Sequence, residues 1–165
     1  MFTDLVAAVH VIGAVAALVL GLAVLTVRKG DQRHRRMGYG YAVLLVALNL
    51  AALALHREDV FGPFHILAVL SLATVIVGIG LPILRPGVVA AAAVHGYLMA
   101  WSYVGVVAAA VGQLAVQAEQ ANLVLWAILI TLLIGGLLIT RLMPGTLRRT
   151  FPALGTASGR SVEPG

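Results

Sequence analysis

Histidine is the side chain in this sequence best suited to chemistry. His10, His34, His56, His65 and His95 are scattered through a chain that contains no cysteine. Disulfides, iron–sulfur clusters and thiolate metal sites are therefore excluded, and imidazole is left as the strong nitrogen ligand for a soft or borderline metal. With an ordinary pKa of about 6.5, the same imidazoles could instead relay protons. Around them stand the polar or polarisable side chains of Tyr41, Asn49, Met99, Ser102 and Tyr103. There is no Ser-His-Asp set, phosphate loop or pair of carboxylates, so catalysis of the soluble-enzyme kind is not expected.

The elements that must position these residues are dictated by composition. Of 165 residues, 61% are hydrophobic and 10% charged, and the mean hydropathy is +1.04. A soluble domain carries about 45–50% apolar and about 25% charged residues, so this chain belongs in lipid. Five apolar runs, at 4–27, 38–55, 63–84, 87–112 and 123–140, each approach the roughly 20 residues that cross a bilayer. Lipid offers no partner to backbone groups, so the runs must be helices. The expectation is an all-α integral membrane bundle of five transmembrane helices in one domain, 1–149, with a disordered tail at 150–165 rich in Gly, Pro and Ser. The first run has no basic segment before it and is read as a retained helix, not a signal peptide.

A net charge of +5 and a pI near 10.5 would suggest nucleic acid in a soluble protein. Here the basic residues flank membrane runs and read as topology determinants, with no nucleic-acid partner expected. Arg28, Lys29, Arg33, Arg35 and Arg36 follow the first run, Arg85 follows the third, and Arg141, Arg148 and Arg149 follow the fifth. The opposite loops hold Asp4, Glu58, Asp59 and Glu119 with one basic residue, Arg57. The positive-inside rule then puts the amino terminus outside and the carboxyl terminus in the cytoplasm, in the cytoplasmic membrane of a bacterium or archaeon.

Small residues mark the contact faces of such helices. Gly13, Ala17 and Gly21 form one seam, Ala92, Gly96 and Ala100 another, and either could join helices within a chain, between copies, or to a membrane partner. His10 lies on the side of the first seam, about 9 Å from the outer end of its helix. On the second helix His34, Gly38, Tyr41, Asn49 and His56 fall on one stripe, a face that avoids lipid. On the fourth, Ser102 and Tyr103 follow His95 by seven and eight residues and turn with it inward. Ser71, Thr74 and Gly78 form a stripe on the third helix that does not include His65, which sits near the outer interface. Trp126 and Phe61 fit interfacial belts, whereas Trp101 and Tyr97 could flank a cofactor or simply pack. No Asp or Glu lies within a span, which speaks against a carboxylate relay or a hard-cation site at mid-membrane.

The runs "HVIGAVAALVLG", "RKGDQRHRRMGYGY" and "HGYLMAWSY" resemble the predicted membrane proteins grouped as domain of unknown function two-three-zero-six. The resemblance covers roughly Val6 to Val107. It matches His10 with Gly13, then His34, Arg35, Gly38 and Tyr41, then His95, Met99, Ser102 and Tyr103. Where that family has a basic residue after the last histidine, this chain has Gly96. The resemblance implies no activity, but it singles out His10, His34 and His95.

Three functions remain open. The bundle could be structural or accessory, its histidines and tyrosines tying helices together at about 0.6 kcal/mol for each hydrogen bond. Its imidazoles could bind b-type haem, copper or zinc, with His10 and His65 as an outer pair and His34 and His95 as an inner one. Pairing would have to absorb a depth offset near 10 Å between the members of each pair. The third option is a polar path for protons or a small solute, along His10, His95, Tyr41, Tyr103 and Asn49.

Overall fold

The computed structural model describes residues 2–54 and 62–150, with side chains from Ala7 onward. All the regular structure in these residues is helical. The elements are α1 (Phe2–Thr26), α2 (Gln32–Ala54), α3 (Pro63–Leu84), α4 (Val89–Gln117) and α5 (Ala121–Thr150). Each is long and apolar enough to cross a membrane. The loops between α1 and α2 and between α3 and α4 lie at one end, with the close of α5; this is called the basic end below. His56, Phe61 and the tail beyond residue 150 lie outside the described residues.

Helices α1 to α4 close into a four-membered ring: α1 packs on α2 and α4, α2 on α3, and α3 on α4. The fifth helix packs on the outer side of α4. Ala17, Tyr41, Leu45, Val75, Met99 and Val106 meet at the centre of the ring, and Leu67, Ala108, Val124 and Ile128 join α3, α4 and α5. Outward-facing Ile12, Val19, Val43, Leu70, Ile76 and Leu133 are each at least half exposed and meet lipid, which costs nothing in a bilayer.

The α1 seam expected from Gly13, Ala17 and Gly21 is real, and its tightest point is Gly21. A methyl group there would lie 2.6 Å from Tyr103 Cδ2 and 2.8 Å from Tyr41 Cε2, closer than carbon atoms pack. Ala17 has no exposed surface. Gly135 and Gly136 of α5 do the same for α4, receiving Val104 and the Trp101 ring. Trp101 is therefore a packing residue on the α4–α5 seam. Gly38, between His34 and Tyr41 on the same face of α2, has open space beside it: a Cβ there would meet nothing within 4 Å.

The helices also outrun the apolar runs. α2 begins at Gln32, not 38, because Asp31 caps it: the His34 backbone N–H donates to Asp31 Oδ1 at 2.6 Å, a standard satisfaction of a first-turn amide. One residue earlier, Gly30 adopts φ 86°, a left-handed turn that glycine enters without steric cost. Lys29 closes the other side of the loop by donating from Nζ to the carbonyls of Val24 at 2.9 Å and Leu25 at 2.8 Å. α5 likewise runs to Thr150 through Pro144, beyond the run ending at 140. Hydropathy reports where lipid ends, whereas caps report where the helix ends.

Candidate functional site

The polar interior forms three contacts stacked along the bundle. Nearest the end away from the basic loops, Asn49 Nδ2 on α2 donates to Ser71 Oγ on α3 at 3.0 Å, with both residues buried. Across the centre, Tyr41 Oη on α2 lies 3.2 Å from Ser102 Oγ on α4. The Ser102 hydroxyl proton goes to the Met99 carbonyl at 2.8 Å, so Tyr41 is the donor in the longer bond. Tyr103 is half-buried beside Tyr41 against Gly21.

Toward the basic end, His34 of α2 and His95 of α4 bring their rings together. The centroids are 6.5 Å apart and the planes stand at 88°. This corrects the expected depth offset near 10 Å. Because Asp31 starts α2 early, His34 is its third residue and lies within the helix, not in the loop before it. His95 is the seventh residue of α4, so the two helix ends bring the rings close in depth. His95 Nδ1 is 2.6 Å from the Gly78 carbonyl on α3. A carbonyl can only accept, so Nδ1 carries a proton, and in the neutral ring Nε2 is the nitrogen with the lone pair. His34 Nδ1 is buried and has no hydrogen-bond partner among the described residues. Met99, one turn beyond His95, packs its sulfur at the same glycine: a methyl group on Gly78 would lie 3.0 Å from Met99 Sδ.

The other histidines do different work. The Gly62 N–H donates to His65 Nδ1 at 3.2 Å, so His65 fills the third-residue position of a capping box at the start of α3. Its Nδ1 is thereby committed to the backbone and withdrawn from the proposed outer pair with His10. His10 is half-buried on the α1 seam, its Nδ1 without a hydrogen-bond partner among the described residues. Thr74 turns its hydroxyl back to the Ser71 carbonyl at 2.8 Å and not across to another helix.

Of the five basic residues between Arg28 and Arg36, spread over the first loop and the first turns of α2, Lys29 is the one drawn inward. Partial burial lowers its pKa below the ordinary lysine value, and its ammonium is close enough to act electrostatically on His34. Sequence reasoning had treated Lys29 only as a topology determinant and had missed Asp31. A Lys-Gly-Asp sequence between two helical runs is the signal that could have found both, as a helix stop and an N-cap. No group of three or more His, Cys, Asp or Glu side chains able to hold a metal occurs among the described residues. Any ion at His34 and His95 would therefore take two imidazoles from this chain.

Comparison with known proteins agrees with this architecture. No curated protein and no solved structure matches the chain. A family model described as "Predicted membrane protein (DUF2306)" matches residues 7–143, from the first described side chain to the last turns of α5. With five apolar helices and that match over most of its length, the chain belongs to the DUF2306 family of predicted membrane proteins.

Proposed function

We propose that the protein binds a transition-metal ion through His34 and His95, and serves in metal handling or electron transfer at the membrane. The observation that carries this reading is the ring pair, 6.5 Å between centroids. Two imidazoles that ligate one ion from opposite sides place their ring centres about 6 Å apart, given metal–nitrogen bonds of about 2.0–2.1 Å. His95 has the hydrogen bond that ligating histidines use to fix their tautomer, from Nδ1 to the Gly78 carbonyl, which leaves Nε2 for the ion. His34 Nδ1 offers the second lone pair. Imidazole donors without thiolate suit copper, zinc or haem iron. The apolar cavity of about 580 Å³ between α2 and α3 is lined by residues such as Tyr39, Val46, Val75 and Gly80 and by neither histidine, which favours a bare ion over a porphyrin.

A structural or accessory bundle is the second reading, favoured by the Asn49–Ser71 and Tyr41–Ser102 contacts. The first joins neighbouring α2 and α3 and the second crosses the ring from α2 to α4, so each ties two helices together, which serves packing better than a path for protons or solutes. We further propose the orientation read from the arginines, with the basic end in the cytoplasm.

Metal analysis and oxidised and reduced absorption spectra of detergent-purified protein test the assignment, with His34→Ala, His95→Ala and, as a control on α1, His10→Ala. Stoichiometric copper or zinc in the wild type and His10→Ala, lost in the other two, is the expected result. A Soret band with the same dependence would replace the ion with haem. A folded, colourless wild type that takes up neither metal on incubation would overturn the site and leave the accessory reading.

A further inference from the structure

The first loop and the end of α5 border a second, partly open cavity, which neither His34 nor His95 lines. Its volume is about 390 Å³, and it is lined by Thr26, Arg28, Lys29, Thr146, Arg149 and Thr150, with Leu25 among its apolar edges. Three of its lining residues are basic and none is acidic. Asp31, the nearest carboxylate in sequence, is occupied with the His34 backbone amide.

The hydrogen bonds inside this cavity show which groups remain available. Thr26, Thr146 and Thr150 each turn their hydroxyl protons to carbonyls of their own helices. Lys29 directs two of its three N–H groups to the carbonyls at the end of α1, which offsets the negative end of that helix dipole. Arg28 and Arg149 have no hydrogen bond or ion pair to another side chain among the described residues. Two guanidinium forks and the remaining Lys29 N–H thus border one cavity with no counter-charge among the described residues. Such forks match the oxygens of a phosphate in bidentate fashion, and basic pockets between helices at a membrane surface capture anionic headgroups.

We propose that this cavity binds a phosphate group, with Arg28 and Arg149 as its clamp and Lys29 as a third, fixed cation. The phosphate could come from the headgroup of an anionic lipid, whose acyl chains would run along the Leu25 edge, or from a soluble phosphate.

The test uses the full chain reconstituted in vesicles of phosphatidylcholine, alone or with phosphatidylglycerol. Lipid retained after detergent extraction is measured by native mass spectrometry, and binding of inorganic phosphate is measured separately. Arg28→Gln/Arg149→Gln is compared with Arg85→Gln, which removes a cation from the α3–α4 turn outside the cavity. The substituted arginines are all exposed, so folding should survive. Retention of phosphatidylglycerol should fall roughly 30-fold in the double variant, as expected for two interfacial cations, and little in Arg85→Gln. If inorganic phosphate binding shows that pattern while phosphatidylglycerol does not, the site stands with a soluble ligand. If neither ligand distinguishes the double variant from Arg85→Gln, the cavity is only part of a general basic surface and the proposal is overturned.

Discussion

The direction of the hydroxyl chain at the bundle centre makes an unequal prediction for its two members. Ser102 has one proton and spends it on the Met99 carbonyl at 2.8 Å, so Tyr41 must donate to Ser102 across 3.2 Å. That is long for an O–H···O bond, which favours about 2.7–2.8 Å. Tyr41→Phe removes a weak donor and leaves Ser102 bonded to its own helix; the cost should be near the membrane average of about 0.6 kcal/mol. Ser102→Ala strands a phenol that is 2% exposed, with no acceptor; the cost should be about 1–3 kcal/mol. In the Tyr41→Phe background there is no phenol to strand, so Ser102→Ala should lose most of that cost of about 1–3 kcal/mol. Reversible unfolding in mixed micelles, followed through Trp101 and Trp126 fluorescence, gives the three free energies. Equal single costs, or a double variant whose cost is the sum of the two, would refute the assigned direction.

Two further substitutions test the packing. Gly21→Ala drives a methyl group into the Tyr41 and Tyr103 rings at 2.8 and 2.6 Å and should cost about 1–3 kcal/mol, whereas Gly80→Ala, with open space around its Cβ, should be neutral or stabilising by up to about 1 kcal/mol; indistinguishable unfolding midpoints would show that the α1 seam does not carry the bundle. Glu119 holds φ 58° between the Glu119 N–H to Val116 and Gln120 N–H to Ala115 bonds that end α4, each 3.0 Å. Such a motif favours glycine at this position, so Glu119→Gly should gain up to about 1 kcal/mol in thermal unfolding, and a loss of stability would mean that the Glu119 side chain contributes something its backbone does not explain.

What could be read from the residues in advance divides along a physical line. Properties of a single helix were legible: lipid demands a long apolar run, and a polar side chain avoids lipid whatever its neighbours are. This is why five helices were expected, and why Tyr41, Asn49 and Ser102 were placed inward and are buried. Where two single-helix rules compete, hydropathy alone misleads. The apolar run begins at 38 and leaves His34 ahead of it, yet the Asp31 cap had already begun α2, which carries His34. Properties of helix pairs were legible only as candidates: His34 and His95 were named as an inner pair, but with an expected depth offset near 10 Å that their ring centroids, 6.5 Å apart, do not show. Whether His95 meets His34 depends on how far α2 and α4 slide and rotate against each other, and no residue on either helix encodes that alone. Part of it is set by steric events elsewhere: Gly21 of α1 admits Tyr41 and Tyr103 together, and Gly78 of α3 admits Met99 while its carbonyl holds the His95 ring. The glycines that let the histidines meet are therefore on neither helix of the pair. A larger residue at Gly78 should disturb the imidazole pair without touching either ring, through the displaced Met99 sulfur and the shifted carbonyl, so the chemistry proposed for this end of the bundle rests on a residue with no side chain.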